Sequence, residues 1–133
     1  MRVVLDTNVL ISALFFAGLP GRILAAWIDE RFEMLASVEI LGEYRRVVAR
    51  LEGRFPSVEA QPLLDLVIRN CHLVDPTVVP PSACEDLDDL KFLSCAVSGR
   101  ASCIVSGDRA LLRASGFEGI EILTPRAFAR RHL

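Results

Sequence analysis

The chain has 133 residues, 52% of them hydrophobic with a mean hydropathy of +0.39, which excludes a disordered chain and predicts one domain over residues 1–133. No apolar stretch approaches the ~20 residues of a membrane span, and Asp6 interrupts the first apolar run too early for a signal peptide, so we expect a soluble protein of the cytoplasm. The net charge of −2 disfavours a protein that coats nucleic acid by neutralising phosphates, but it permits an enzyme whose acidic site is balanced by bound cations.

The first half of the chain predicts strands that alternate with helices. Residues 3–5 form a short apolar run typical of a strand, and apolar residues at helical spacing follow from Val9. Pro20 stands near the start of a second predicted helix, because proline is favoured in the first helical turn. Residues 32–36 then predict a strand, and one apolar stripe predicts a helix over residues 37–53.

The second half continues the alternation. A threonine followed by a proline at positions 124 and 125 is a typical helix start. In chain order we predict a helix from about 57 to 70, a strand over 72–74, a loop over 75–83, a helix that begins in the acidic residues 85–89 and ends at Gly99, a strand over 102–105, a short helix over 109–113, a strand over 121–123 and a terminal helix.

This alternation predicts a three-layer α/β/α sandwich around a mainly parallel sheet of about five strands. Parallel strands need helical crossovers, and these helices cover both faces of the sheet. Functional groups in such folds lie at the carboxyl ends of the strands. Polar residues that directly follow a strand are therefore the first candidates for a site.

Four acidic residues stand out by position. Asp6 and Asp108 each follow a predicted strand, so both should lie at the same edge of the sheet. Glu43 falls on the apolar stripe of its helix, and Asp89 stands at the inward edge of a helix start. Because an unpaired carboxylate facing a core is costly, a shared divalent cation would explain all four.

Each of these acids also has an ordinary structural explanation. Asp6, Asp86 or Asp89 could cap a helix, and Glu43 could pair with a nearby arginine of its own helix, Arg46 or Arg50. For a single acid we favour the structural explanation, whereas four acids near one edge favour a metal site. Their ligand atoms are all oxygens, which select Mg²⁺ or Mn²⁺.

No other pattern in the chain indicates catalysis. The four cysteines are irregularly spaced, and we assign them no chemistry (Cys71, Cys84, Cys95 and Cys103). His72 is a poor ligand candidate beside a strand. Without a protein nucleophile, the acids favour chemistry by a metal-activated water.

Four segments that contain these acids resemble, in order and spacing, the acidic motifs of the PIN domain family. They are VLDTNVLISA at 4–13, LGEYRRV at 41–47, DLDDLKFLSCA at 86–96 and IVSGDRALL at 104–112. Within that family, the chain is most similar to a subgroup identified as toxin components of toxin–antitoxin systems. Ser106 stands where threonine is commoner, which keeps the hydroxyl, and no departure from the family pattern removes an acid of the set.

The resemblance implies a Mg²⁺- or Mn²⁺-dependent endoribonuclease that hydrolyses single-stranded RNA with one or two ions. The implied catalytic and metal-binding residues are Asp6, Glu43, Asp89 and Asp108, with Thr7, Asn8, Ser106 and Asp86 beside them. The implied partners are an antitoxin protein and a second copy of the chain in a homodimer.

Two alternatives to a nuclease stay open. One is a degenerate PIN domain that binds RNA or protein without cutting. The other is a phosphatase or phosphotransferase with Asp6 as nucleophile, although Asn8 stands where that chemistry commonly places a second acid. Arg45, Arg46 and Arg50 are candidates to guide RNA to the site, and ordinary solvated helix residues are an equal alternative for them.

Overall fold

The computed structural model describes residues 1–133 and contains one sheet of five parallel strands. Its order is β3-β2-β1-β4-β5, so the first strand lies in the centre. The strands are β1 (Arg2–Leu5), β2 (Glu33–Ala36), β3 (His72–Leu73), β4 (Cys103–Val105) and β5 (Glu121–Leu123).

Seven α-helices connect and follow these strands, with short 3₁₀ turns at Pro81–Ala83, Leu87–Asp89 and Phe117–Gly119. The helices are α1 (Thr7–Phe15), α2 (Leu19–Ile28), α3 (Val38–Arg54), α4 (Gln61–Asn70), α5 (Leu90–Gly99), α6 (Arg109–Leu112) and α7 (Pro125–His132).

Helices cover both faces of the sheet. Successive side chains of a strand point to opposite faces, and Val3, Val4 and Leu5 of β1 are all buried. All three residues of β4 are buried as well. Helix α5 packs over the middle of one face, against β1, β2 and β4. The predicted three-layer α/β/α sandwich with a parallel sheet is therefore confirmed.

Predicted helix boundaries differ from the structure at several places, most of all at the start of α4. Helix α4 begins at Gln61 rather than near residue 57, because Pro62 lacks an N–H and fits only in a first turn. Helix α3 continues one residue past Gly53. The predicted start of α7 is confirmed, since the Thr124 side chain accepts a hydrogen bond from the backbone N–H of Ala127 at 3.1 Å.

No single helix is long and apolar enough to cross a membrane. Only α1 and α2 taken together would meet those requirements, and they are bent by 92° relative to each other.

Gly99, at the end of α5, tests how tightly this helix packs on the sheet. An ideal Cβ at Gly99 would lie 2.6 Å from Leu35 Cδ1 and 3.1 Å from Val74 Cγ2, which is too close for either pair. We expect Gly99→Ala to lower the free energy of unfolding by about 1–3 kcal/mol, as overpacking does. Urea denaturation measures this change.

The matched control is Gly21→Ala in α2, where a Cβ would meet no atom within 4 Å. There the gain in helix propensity predicts an increase of up to about 1 kcal/mol. Equal stability of the two variants would mean that α5 does not pack as closely as described.

Candidate metal centre

The central pair of strands brings two distant aspartates to one edge of the sheet. The backbone N–H of Asp6 donates to the Val105 carbonyl at 2.9 Å, which continues the pairing of β1 with β4. Ser106 Oγ then donates to Asp6 Oδ2 at 2.6 Å and accepts from the Asp108 N–H at 2.9 Å. The buried Ser106 hydroxyl therefore links Asp6 to the turn that carries Asp108.

Tyr44 fixes the end of β1 from the other side. Its hydroxyl donates to the Leu5 carbonyl at 2.5 Å, and its side chain is fully buried. Tyr44 is thus a core residue. Because it bonds to the peptide unit directly before Asp6, it helps hold that carboxylate in position.

Three carboxylates converge at the start of α5. Asp86, Asp89 and Asp108 each offer an oxygen, and these oxygens all lie within 4.8 Å of one another. Asp89 is 8% exposed, and its Oδ2 is buried without a hydrogen-bond partner. An unpaired buried carboxylate oxygen is costly. A hard divalent cation, which prefers oxygen ligands, would supply the missing partner.

The negative charges of this cluster repel one another. Burial, followed by a hydrogen bond with Asp108 and the negative charges of Asp108 and Asp6, raises the pKa of Asp89 to about 8. The same hydrogen bond lowers the pKa of Asp108. Burial also raises the pKa of Asp6, although its hydrogen bond from Ser106 opposes the shift. The carboxylates are therefore held in an arrangement that favours protonation or a bound cation.

Glu43 is attached to other groups. The Thr7 hydroxyl donates to Glu43 Oε2, and Lys91 Nζ lies 3.0 Å from Glu43 Oε1. Pairing with Arg46 or Arg50, the alternative from the sequence, is not present. Sequence reasoning missed Lys91 as a site residue, although it is the only lysine of the chain and lies within the third acidic motif.

Helix capping, the structural alternative to a metal site, accounts for some of the acids but not for others. Asp86 accepts a hydrogen bond from the Asp88 N–H at 3.0 Å, and Asp108 accepts one from the Ala110 N–H at 3.4 Å. The side chains of Asp6 and Asp89 make no such bond. Capping therefore does not explain the two most buried carboxylates. Asn8 is exposed in the first turn of α1.

The candidate arginines lie on α3, which also carries Glu43. At 100° per residue, Arg46 and Arg50 share the face of Glu43, whereas Arg45 projects from a different face. All three are exposed and form no ion pair. The Arg46 guanidinium turns back along the helix, with Nη1 3.4 Å from the position of a Cβ at Gly42.

The cysteines and His72 add no reactive group to the site. The four cysteines are free, and burial raises the pKa of each thiol, which makes them poor nucleophiles. His72 is exposed on β3. A surface cavity of about 680 Å³ includes Arg2, Glu33 and His72 at the amino ends of the strands, opposite the acids.

Comparison with known proteins identifies the family. A family model described as "PIN domain" matches residues 2–110. This chain belongs to the PIN domain family. The crystal structure of PAE2754 from Pyrobaculum aerophilum is similar in fold, with 18% sequence identity and a TM-score of 0.59, over 97% of this chain and 87% of that one. No curated protein matches the sequence.

The family resemblance predicted from the four motifs is thus confirmed. PIN domains are a nuclease family, and the acidic cluster of this chain fits a metal site.

The raised pKa of Asp89 predicts how stability depends on pH. The folded protein keeps this carboxyl protonated up to about pH 8, whereas the unfolded chain releases the proton near the ordinary value. Unfolding then releases a proton between these values, so the free energy of unfolding of the metal-free protein should fall as pH rises from about 5 to about 8. Urea titrations in EDTA at several pH values measure this.

Asp89→Asn should remove most of that slope, and Asp65→Asn, which changes an exposed aspartate of α4, should leave it in place. Mn²⁺ binds deprotonated carboxylates, so its stabilising effect on the wild type should grow over the same pH range. Parallel pH profiles for the wild type and Asp89→Asn would show that Asp89 is not the source of the pH dependence.

Proposed function

We propose that this protein is a Mg²⁺- or Mn²⁺-dependent endoribonuclease that hydrolyses phosphodiester bonds of single-stranded RNA. The observation that carries the proposal is that Asp89, whose Oδ2 is buried without a partner, clusters with the carboxylates of Asp86 and Asp108 in a chain of a nuclease family. An oxygen-only donor set suits these two hard cations.

Asp89 and Asp108 are the proposed centre of the metal site. Asp86 belongs to the same group of oxygens, and Asp6 lies beside it, linked to the Asp108 turn through Ser106. Asp86, which sequence reasoning placed beside the site, is therefore a stronger ligand candidate than Glu43. In the proposal Ser106 orients the Asp6 carboxylate, and Thr7 orients Glu43.

The site offers no free hydroxyl as a nucleophile. The two hydroxyls nearest the acids, on Thr7 and Ser106, both donate hydrogen bonds to carboxylates. A divalent ion, when bound, supplies a water of lowered pKa and positive charge for the phosphate oxygens. The proposed role of the protein's own groups is to hold and orient carboxylates at the edge of the sheet.

The family subgroup that the motifs resemble supports a narrower proposal. We infer that the protein is the toxin of a toxin–antitoxin pair, silenced by an antitoxin protein and assembled as a homodimer. Capture of a specific partner protein and measurement of the oligomeric state in solution test these two points.

Cleavage of a labelled single-stranded RNA pool tests the central proposal. We expect cleavage with Mn²⁺ or Mg²⁺, none with EDTA, and a loss of about 100-fold or more in Asp6→Asn and Asp89→Asn, since even groups outside the ligand set commonly cost 10–100-fold. As a proposed ligand, Asp86 should also be required, so Asp86→Asn should lose RNA cleavage to a similar extent.

The matched control is again Asp65→Asn, with circular dichroism of every variant to show that it is folded. A folded wild type that binds Mn²⁺ but cuts no RNA would contradict the nuclease proposal and favour a non-catalytic binding module. Cleavage that survives both substitutions would place the active site elsewhere.

The face of α3 that carries Glu43 predicts a path for RNA. We expect Arg46→Gln with Arg50→Gln to weaken binding of single-stranded RNA and to reduce the salt slope by about 0.7 for each phosphate that the variant no longer neutralises. Fluorescence anisotropy of a labelled strand in the Asp89→Asn background measures binding without cleavage. Arg45→Gln, one residue away on another face, is the control, and an equal weakening in that variant would contradict this path.

A further inference from the structure

Lys91 is the only lysine among the 15 lysine and arginine residues, and it lies at the acidic site. It stands in the first turn of α5, two residues after Asp89. Its ammonium is 3.0 Å from Glu43 Oε1 and 2.5 Å from the Asp88 carbonyl oxygen, and its side chain is only 9% exposed.

An ammonium group loses strong hydration when it is buried, so it stays charged only where other groups replace that water. At Lys91 the replacement is a carboxylate and a backbone carbonyl.

The contacts of Glu43 differ from those of Asp89. Both oxygens of Glu43 have donors, Thr7 on one and Lys91 on the other. Asp89 Oδ2 has none, and only the oxygens of Asp86, Asp89 and Asp108 gather within 4.8 Å. Both oxygens of Glu43 are therefore satisfied within the protein, whereas one buried oxygen of Asp89 is not.

We infer that Lys91 is a resident cation that keeps Glu43 out of the metal's ligand set, so that the aspartates bind one divalent ion rather than two. This inference rests on the metal site of the proposed function. Lys91 is thus a positioning residue: it neutralises Glu43 and repels a second ion from that side of the site.

Mn²⁺ binding to the full chain tests the inference without measuring activity. Titrations followed by calorimetry and by the electron paramagnetic resonance of free Mn²⁺ should give one ion per wild-type chain. Glu43→Gln should raise the Kd by no more than about tenfold, whereas the equally conservative Asp89→Asn, which removes a ligand, should raise it by about 100-fold or more.

Lys91→Met keeps the length of the stem and removes the charge. Without the ammonium group, Glu43 should allow a second Mn²⁺ to bind, or should lower the Kd of the first by about tenfold or more. Lys91→Arg should restore wild-type binding, and adding Glu43→Gln to Lys91→Met should return the count to one. If Lys91→Met does not fold, the comparison of Glu43→Gln with Asp89→Asn decides alone.

Two Mn²⁺ ions in the wild type, or a Glu43→Gln variant as weak as Asp89→Asn, would overturn the inference and leave the metal site standing. A wild type that binds no Mn²⁺ overturns both the inference and the proposed function. One bound ion without RNA cleavage overturns the proposed function, while the inference about Lys91 holds.

Discussion

The structure depends on the parallel pairing of β1 with β4 at the centre of the sheet. This pairing aligns Leu5 with Val105, so that residues about a hundred positions apart in sequence end at the same edge. Ser106 then completes the junction, because its hydroxyl donates to Asp6 and accepts from the Asp108 N–H. A shift of one residue in this register would turn every side chain of the strand to the other face and disperse the acids.

The acidic edge is an arrangement that the fold imposes against electrostatic repulsion. Burial and neighbouring charges raise the pKa values of Asp6 and Asp89, and a single hydroxyl from Ser106 offsets only part of this cost. Lys91 and Thr7 satisfy Glu43 on the neighbouring helix. Within the protein, Glu43 is balanced by Lys91 and Thr7, whereas Asp89 keeps one buried oxygen without a partner.

The family model shows the family of this chain, whereas its substrate is a proposal. The family model covers residues 2–110, which include all the acids of the site, and the similarity to PAE2754 at 18% identity concerns the fold alone. The residues proposed to guide RNA, Arg46 and Arg50, are exposed on the face of α3 that carries Glu43. These residues form no internal ion pair, so packing of the fold does not dictate their identity.

The sequence by itself determined the order of strands and helices, the parallel sheet and the candidate acids, because apolar periodicity and strand-terminal aspartates are local features. Its least accurate boundary was the start of α4, where Pro62 sets the first turn. Only the tertiary structure decided which acids share a cluster. It grouped Asp86 with Asp89 and Asp108, and it joined Glu43 to Lys91, 48 positions further along the chain. Those contacts depend on how α3 and α5 pack on the sheet, and no local pattern in either helix encodes the distance between them.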